Sequence, residues 1–289
     1  MFPVMTATNR LSRLVVALLV LAAGAAAPWV CAEPQKRPGV TVDLVSERTG
    51  IQAGVPFRVG MTIRHDSGFH TYWRQPGMVG LTPSIDWNLP RGFKAGPIQW
   101  PAPERTKMGM WGVWGFERDV CLVIEIAPPG KLTDSSITIA GKASWMACGK
   151  TCHPSFANLV LTLPVVSSEA PLSASAKLFA ETRAGQPLHP AGWSFSARKS
   201  DEAIELTVTP PEGSKVPDDI YFYSFARIVD SHSDPVFKRL DDGRAVLTMK
   251  WVQSPGEVPK SLEGVLESRR GWSAGDRKAT LLAVEAPWK

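Results

Sequence analysis

ASWMACGKTCHP (residues 143–154) decides how the chain is read, because it sets two cysteines, Cys148 and Cys152, four positions apart. In an extended strand their Cα atoms would stand roughly 13 Å apart at about 3.3 Å per residue, beyond the ~7 Å that a disulfide spans. The chain is therefore expected to turn between them. Gly149 is expected to supply positive φ at that turn, free of a Cβ penalty, and Pro154 to end regular pairing just beyond it. Strand-like runs at 136–145 and 157–166 flank the turn, so the stretch reads as the tip of a β-hairpin.

Working outward, short strand signals recur and helical periodicity is scarce. Residues 40–46 alternate, residues 56–65 place Phe57, Val59, Met61 and Ile63 on one face, and residues 120–126 are almost continuously apolar, as in a central strand. Between them lie Gly-, Pro- and aromatic-rich turns, including the stretch RTKMGMWGVWG (105–115), which reads as an exposed loop hinged at Gly109, Gly112 and Gly115. Residues 167–176 are small and polar, and one helix is expected at 173–184. Six further strands, at 193–197, 203–209, 220–225, 245–251, 261–266 and 279–286, have sandwich-like spacing. The expected fold is all-β: two tandem immunoglobulin-like β-sandwiches at 33–168 and 185–289, joined by a linker at 169–184.

The first 32 residues read as a cleaved signal peptide, with Arg10 and Arg13 ahead of an apolar run and a small-residue site before Glu33. Its removal takes Cys31 with it and leaves Cys121, Cys148 and Cys152. Export implies a compartment where disulfides persist, here the periplasm, and an odd cysteine number leaves at least one thiol outside an intramolecular bond. Without Arg10 and Arg13, 30 basic residues face 27 acidic ones. So balanced a chain is not expected to bind nucleic acid, which calls for a clustered basic face. No later segment approaches the ~20 apolar residues of a membrane span.

A structural disulfide is the plain reading of the cysteine pair. Closing so small a ring contributes only about 2 kcal/mol in the loop-entropy model, against ~3 for a 15-residue loop. The flanks favour exchange instead. Lys150 stands between the cysteines and His153 follows the second, and either can lower a thiol pKa from its usual ~8.5. With Lys150 beside it, Cys148 is favoured as the attacking sulfur. Cys121, within an apolar strand, reads as a small buried hydrophobe. Met108, Met110, Trp111, Val113 and Trp114 are read either as a flap over the sulfurs or as an aromatic turn packed on its own domain. The second function class is a copper-binding or copper-tolerance β-sandwich using Met, His and Cys ligands such as Met78, Met108, Met110, Met146, His70 and His153. No cofactor is called for, and no defined metal-ligand motif is present.

HTYWRQPG (70–77), PSIDW (83–87), GPIQWPAPER (96–105), GFE (115–117) and WMACGKTCHP (145–154) together make the chain resemble the periplasmic N-terminal domain of DsbD, in its ScsB-like form. YFYSF (221–225), IVD (228–230) and LEGVL (262–266) are similar, more loosely, to the extra β-domain of ScsB-like members. The resemblance implies an immunoglobulin-like fold in which Cys148 and Cys152 exchange electrons, with residues 108–115 in the place of a cap loop and Lys150, His153, Trp145, His70 and Tyr72 in support. It also implies a protein-disulfide reductase component. Its partners would be thioredoxin-fold periplasmic proteins, such as disulfide isomerases or cytochrome c maturation factors. The chain ends at Lys289 with no transmembrane conduit, so a separately encoded membrane electron donor is expected.

Overall fold

The computed structural model describes residues 33–289 except 190, 253–255 and 275–276; the predicted signal peptide lies outside the described residues. The described chain is nearly all β and immunoglobulin-like. Its first part runs β1 (Gln35–Arg37), β2 (Val40–Ser46), β3 (Phe57–His65), β4 (Thr71–Gly77), β5 (Ser84–Asn88), β6 (Lys94–Gln99), β7 (Glu104–Met108), β8 (Trp111–Phe116), β9 (Val120–Ala127), β10 (Ser136–Cys148) and β11 (Cys152–Pro164). Helix α1 (Ala176–Ala184) follows. The remainder is β12 (Ser194–Lys199), β13 (Ala203–Thr209), β14 (Tyr221–Ser224), β15 (Val236–Arg239), β16 (Ala245–Lys250), β17 (Ser261–Ala274) and β18 (Arg277–Pro287).

Hydrophobic alternation sets the first layers. In β2, Val40, Val42 and Leu44 point inward while Thr41, Asp43 and Val45 are half-buried on the other face. This strand lies in the sheet β1-β2-β3-β9-β6, where β9 is interior, as its apolar run requires. The long β10–β11 hairpin forms a second sheet with β5, and its Ile137, Ile139, Leu159 and Leu161 join Val59, Met61, Leu122 and Ile124 in the core. A third sheet, β4-β8-β7, lies beside them.

After α1 the chain builds the sheets β12-β13-β16-β15 and β14-β17-β18. Helix α1 is docked rather than free: Phe179 is fully buried against Cys121 and Val123, and Thr182 Oγ1 donates to the Cys121 carbonyl at 2.9 Å. Burying that phenyl ring contributes about 2–3 kcal/mol. Glu47 adds a polar clamp, paired with both Arg58 and Arg183. The main core is continuous between the halves, because Trp73 and Trp114 of the third sheet pack edge-on against Tyr223.

Three local expectations change. The stretch 105–115 is a β-hairpin, not a loop, and its two-residue turn has Gly109 at φ +59°, where a type II′ turn needs positive φ. Gly149 does not adopt positive φ. A Cβ there would lie 3.0 Å from the Gly68 carbonyl and 3.3 Å from the Phe69 ring, so close approach is what requires glycine. Pro154 pairs with Met146 inside β11 instead of ending the ladder. As an edge strand, β11 has no neighbouring strand beyond Pro154 on its outer side, where a missing N–H costs little.

Candidate functional site

The β10–β11 ladder runs to its last residue pair, which is Cys148 opposite Cys152. Their Cα atoms are 4.1 Å apart and their sulfurs form a disulfide. The two residues are unequally placed. Cys148 has 0% of its surface exposed, whereas Cys152, on the edge strand, is exposed. An isolated bridge fixes the buried cysteine from the other side: His70 and Cys148 exchange backbone hydrogen bonds, both at 2.9 Å.

That bridge positions β4. Two residues beyond His70, the Tyr72 hydroxyl donates to Cys148 Sγ at 3.0 Å within a buried contact. Burial pushes the phenol up to about 12, so it keeps its proton and remains a donor across neutral pH. The ring of His70 meets Tyr72 edge-on at 5.2 Å, and its Nε2 is buried without a hydrogen-bond partner. Desolvation lowers the His70 pKa, with Glu117 opposing it. A protonated phenol thus lines the buried side of the sulfur pair, backed by an imidazole that burial makes less basic than usual.

The β7–β8 hairpin covers this side, and strand alternation divides its residues. Val113 is buried in one cluster with Tyr72 and Cys148, with Met108, Met146 and Val79 packed around it. Trp114 points the other way, fully buried, and its indole N–H donates to the Tyr221 hydroxyl at 3.0 Å. Met110 (74% exposed) and Trp111 (39%) stand at the open tip. Of the five residues read as a cap, Val113 and Met108 therefore lie beside the buried sulfur, Met110 and Trp111 stand at the exposed tip of the hairpin, and Trp114 is an anchor.

On the exposed side, His153 Nε2 is 2.9 Å from the Thr151 hydroxyl, its ring centroid is 6.1 Å from that of Phe69, and Lys150 is exposed. Trp145 belongs to the main core and its Nε1 has no partner. Cys121 is a free, buried thiol, pushed up to about 12 by burial and by the charge of Glu47. Among the described residues, no group of three or more His, Cys, Asp or Glu is arranged to hold a metal ion. The thioethers weighed for copper are divided, with Met108 and Met146 beside Cys148 and Met110 in solvent.

Residues 42–164 match the family model for the N-terminal domain of the thiol:disulfide interchange protein DsbD. They form a DsbD-like N-terminal domain. The crystal structure of the N-terminal periplasmic domain of ScsB from Proteus mirabilis superposes with a TM-score of 0.59 at 16% identity, covering 90% of this chain and 97% of that one. At that identity the likeness is one of fold, and it extends past the DsbD-like domain into the second half. No curated protein matches the sequence.

Within the DsbD-like domain, Tyr72 is in the sequence motif HTYWRQPG, but only the His70–Cys148 bridge explains why its hydroxyl reaches a sulfur 76 positions away. Sequence reasoning missed Ser231 and His232, both of which contact the β7–β8 hairpin. Neither residue lies in a motif that names a partner.

Proposed function

We propose that this protein is a periplasmic thiol:disulfide interchange module whose Cys148–Cys152 pair relays electrons to thioredoxin-fold partners. In this reading a DsbD-like redox sandwich spans residues 33–168 after a signal peptide at 1–32, a connecting segment spans 169–184, and a second β-sandwich spans 185–289. Electrons come from a membrane-embedded donor and go to disulfide isomerases or cytochrome c maturation factors. The family match over residues 42–164 and the fold shared with a periplasmic domain support it.

The observation that carries the mechanism is the unequal exposure of the two cysteines. An incoming partner thiolate attacks Cys152 Sγ, since Cys148 is out of reach. A new S–S bond forms to the partner, the Cys148–Cys152 bond breaks, and its electron pair leaves on Cys148. There the Tyr72 hydroxyl already donates a hydrogen bond, which strengthens as charge develops on sulfur. The partner's second thiolate then attacks its own sulfur in the mixed disulfide and expels Cys152. The partner ends as a disulfide, this protein as a dithiol, with protons taken from solvent. The same steps reversed reduce a recipient disulfide. Exposure thus overrides the charge of Lys150, which favoured Cys148 as the attacking sulfur.

The test uses the single-cysteine variants Cys148→Ser and Cys152→Ser with a thioredoxin carrying one cysteine activated as a mixed disulfide with thionitrobenzoate. Cys152, left alone in Cys148→Ser, is expected to react at least about a hundredfold faster than Cys148 left alone, because attack requires access as well as thiolate. Equal rates, or the reverse order, would overturn the assignment. A wild-type reduction potential well below about −300 mV, the range of inert structural bonds, would overturn the relay itself.

A further inference from the structure

One short segment of the second half, residues 230–234, reaches both the cover of the redox site and the strand beneath it. Ser231 is 4% exposed and its hydroxyl makes two bonds at once, donating to the Gly112 carbonyl at 2.7 Å and accepting from the Met78 N–H at 3.0 Å. Gly112 belongs to the covering hairpin, and Met78 directly follows β4, the strand that carries Tyr72. Ser231 therefore ties the cover to the strand beneath it. It does so where their own pairing fails: β4 and β8 pair at Tyr72–Gly115, lose register, and meet again only at Gly77–Val113.

Two glycines form the slot. A Cβ on Gly77, which has φ +89°, would lie 2.2 Å from Ser231 Oγ, and one on Gly112 would lie 2.6 Å from the Ser231 carbonyl oxygen and 2.9 Å from His232 Cα. No larger residue fits either position without displacing the segment. Around this slot the Gly112 N–H donates to His232 Nδ1 at 3.3 Å, the His232 ring packs edge-on to Trp111 at 6.0 Å, and Arg105 pairs with Asp234. The segment is shaped in advance by Asp230, whose carboxylate accepts from the His232 N–H at 2.8 Å and the Ser233 hydroxyl at 2.9 Å.

We propose that residues 230–234 are a latch by which the second half holds the β7–β8 hairpin shut beside the buried sulfur, with Ser231 as its positioning residue. The proposal rests on the interchange reading for its purpose but not for its geometry. Alternation along β8 supplies the coupling: Gly112 and Trp114 face the second half, and Val113 between them packs with Cys148 and Tyr72. Releasing Gly112 frees Val113, and the hairpin can then lift from the site. Ser231 touches neither sulfur, so the latch governs access to Cys148 Sγ and leaves the exposed Cys152, and the energy of the disulfide, alone.

The experiment compares wild type, Ser231→Ala, Gly112→Ala and the double variant in the full chain. The first readout is the rate at which iodoacetamide labels Cys148 in the Cys152→Ser background, the second the reduction potential of the intact pair and its reduction by dithiothreitol, and the third the amide hydrogen exchange of residues 111–114. Ser231→Ala removes two neutral hydrogen bonds, so Cys148 labelling and exchange are both expected to speed up about five- to tenfold. Gly112→Ala is expected to match it by pushing the segment away, and the double variant to gain little more, because both changes undo one contact. The potential is expected to stay at its wild-type value. Unchanged exchange in Ser231→Ala would overturn the latch. So would a rate change fully matched by a shift in potential, which would place Ser231 in the energetics of the sulfurs. A disulfide inert to dithiothreitol in every variant, with exchange still accelerated, would sink the interchange reading and leave the latch standing.

Discussion

Replacing Tyr72 with phenylalanine removes one atom from the site. The ring keeps its place, fully buried and edge-on to His70, while Cys148 Sγ loses the hydroxyl that donates to it at 3.0 Å. A hydrogen bond to a charged partner contributes about 1.5–3 kcal/mol. Fully expressed on a thiolate, that range raises the Cys148 pKa by about 1–2 units. In the transition state for attack on Cys152, with roughly half the charge on the leaving sulfur, the loss is about 1 kcal/mol or a little more, a slowing of about five- to tenfold. Because the phenol is held near 12, it donates throughout the working range, and the slowing should be constant from pH 6 to 10. The assay is reduction by dithiothreitol quenched with acid and read by mass after alkylation, with the Cys148 pKa taken from the pH dependence of alkylation in the Cys152→Ser background. Thermal unfolding serves as the control for packing. A variant that is reduced at the wild-type rate, with an unshifted Cys148 pKa, would show that Tyr72 is a core aromatic and that the sulfur needs no donor.

Two further outcomes follow from buried titratable groups. Burial lowers His65 to about 4, with the charge of Asp119 opposing it, and the same cause lowers His70. An unfolded histidine titrates near 6.5. Between those values the unfolded chain binds a proton that the folded chain refuses, so stability is full above about pH 6.5, falls through this window, and levels off below about 4. For a partly exposed ring the loss should be about 1–2 kcal/mol, read as the difference in urea midpoints at pH 7 and 4.5 between wild type and His65→Gln; parallel midpoints would refute it. Cys121, held near 12 and 4% exposed, should take no iodoacetamide at pH 8 in the folded, reduced protein and should label fully in guanidinium. Labelling of Cys121 in the native state would mean that α1 opens from β9.

Local pattern was legible wherever one strand has one wet face. The run 40–46 is β2 residue for residue and 203–209 is β13, because in each the alternation of burial is the alternation of the sequence. The cysteine hairpin was legible for a covalent reason, since two sulfurs four positions apart force a turn. Strand β15, Val236–Arg239, was not, because Val236 is exposed and only Phe237 packs toward the core, which leaves no periodic signal. The β7–β8 hairpin hid for the opposite reason. Its glycines read as hinges, whereas Gly112 answers to Ser231, 119 positions away, and such close approach has no local signature. The choice between the sulfurs was out of reach too: neighbouring charge is written in the sequence, but which strand of a hairpin is the edge is decided by β5, which pairs with β10 and leaves β11 bare.

That same edge governs how long a mixed disulfide can live. When a partner is bound through Cys152, Cys148 is held directly opposite it, with the Cα atoms set by thirteen successive register pairs from Ser136–Pro164 to Cys148–Cys152. A thiolate so placed behaves as a reactant at very high effective concentration, about 10⁵ M or more in well-oriented systems. It can expel the partner and restore the disulfide before the partner's own second thiol acts. Forward transfer therefore depends on Cys148 staying in its pocket once it has left, which is what a hydrogen bond from Tyr72 and contact with Val113 accomplish. The contacts that hold Cys148 in its pocket delay that reversal, so cover and donor act together on the direction of flow, and loosening the latch should give a larger fraction of aborted exchanges.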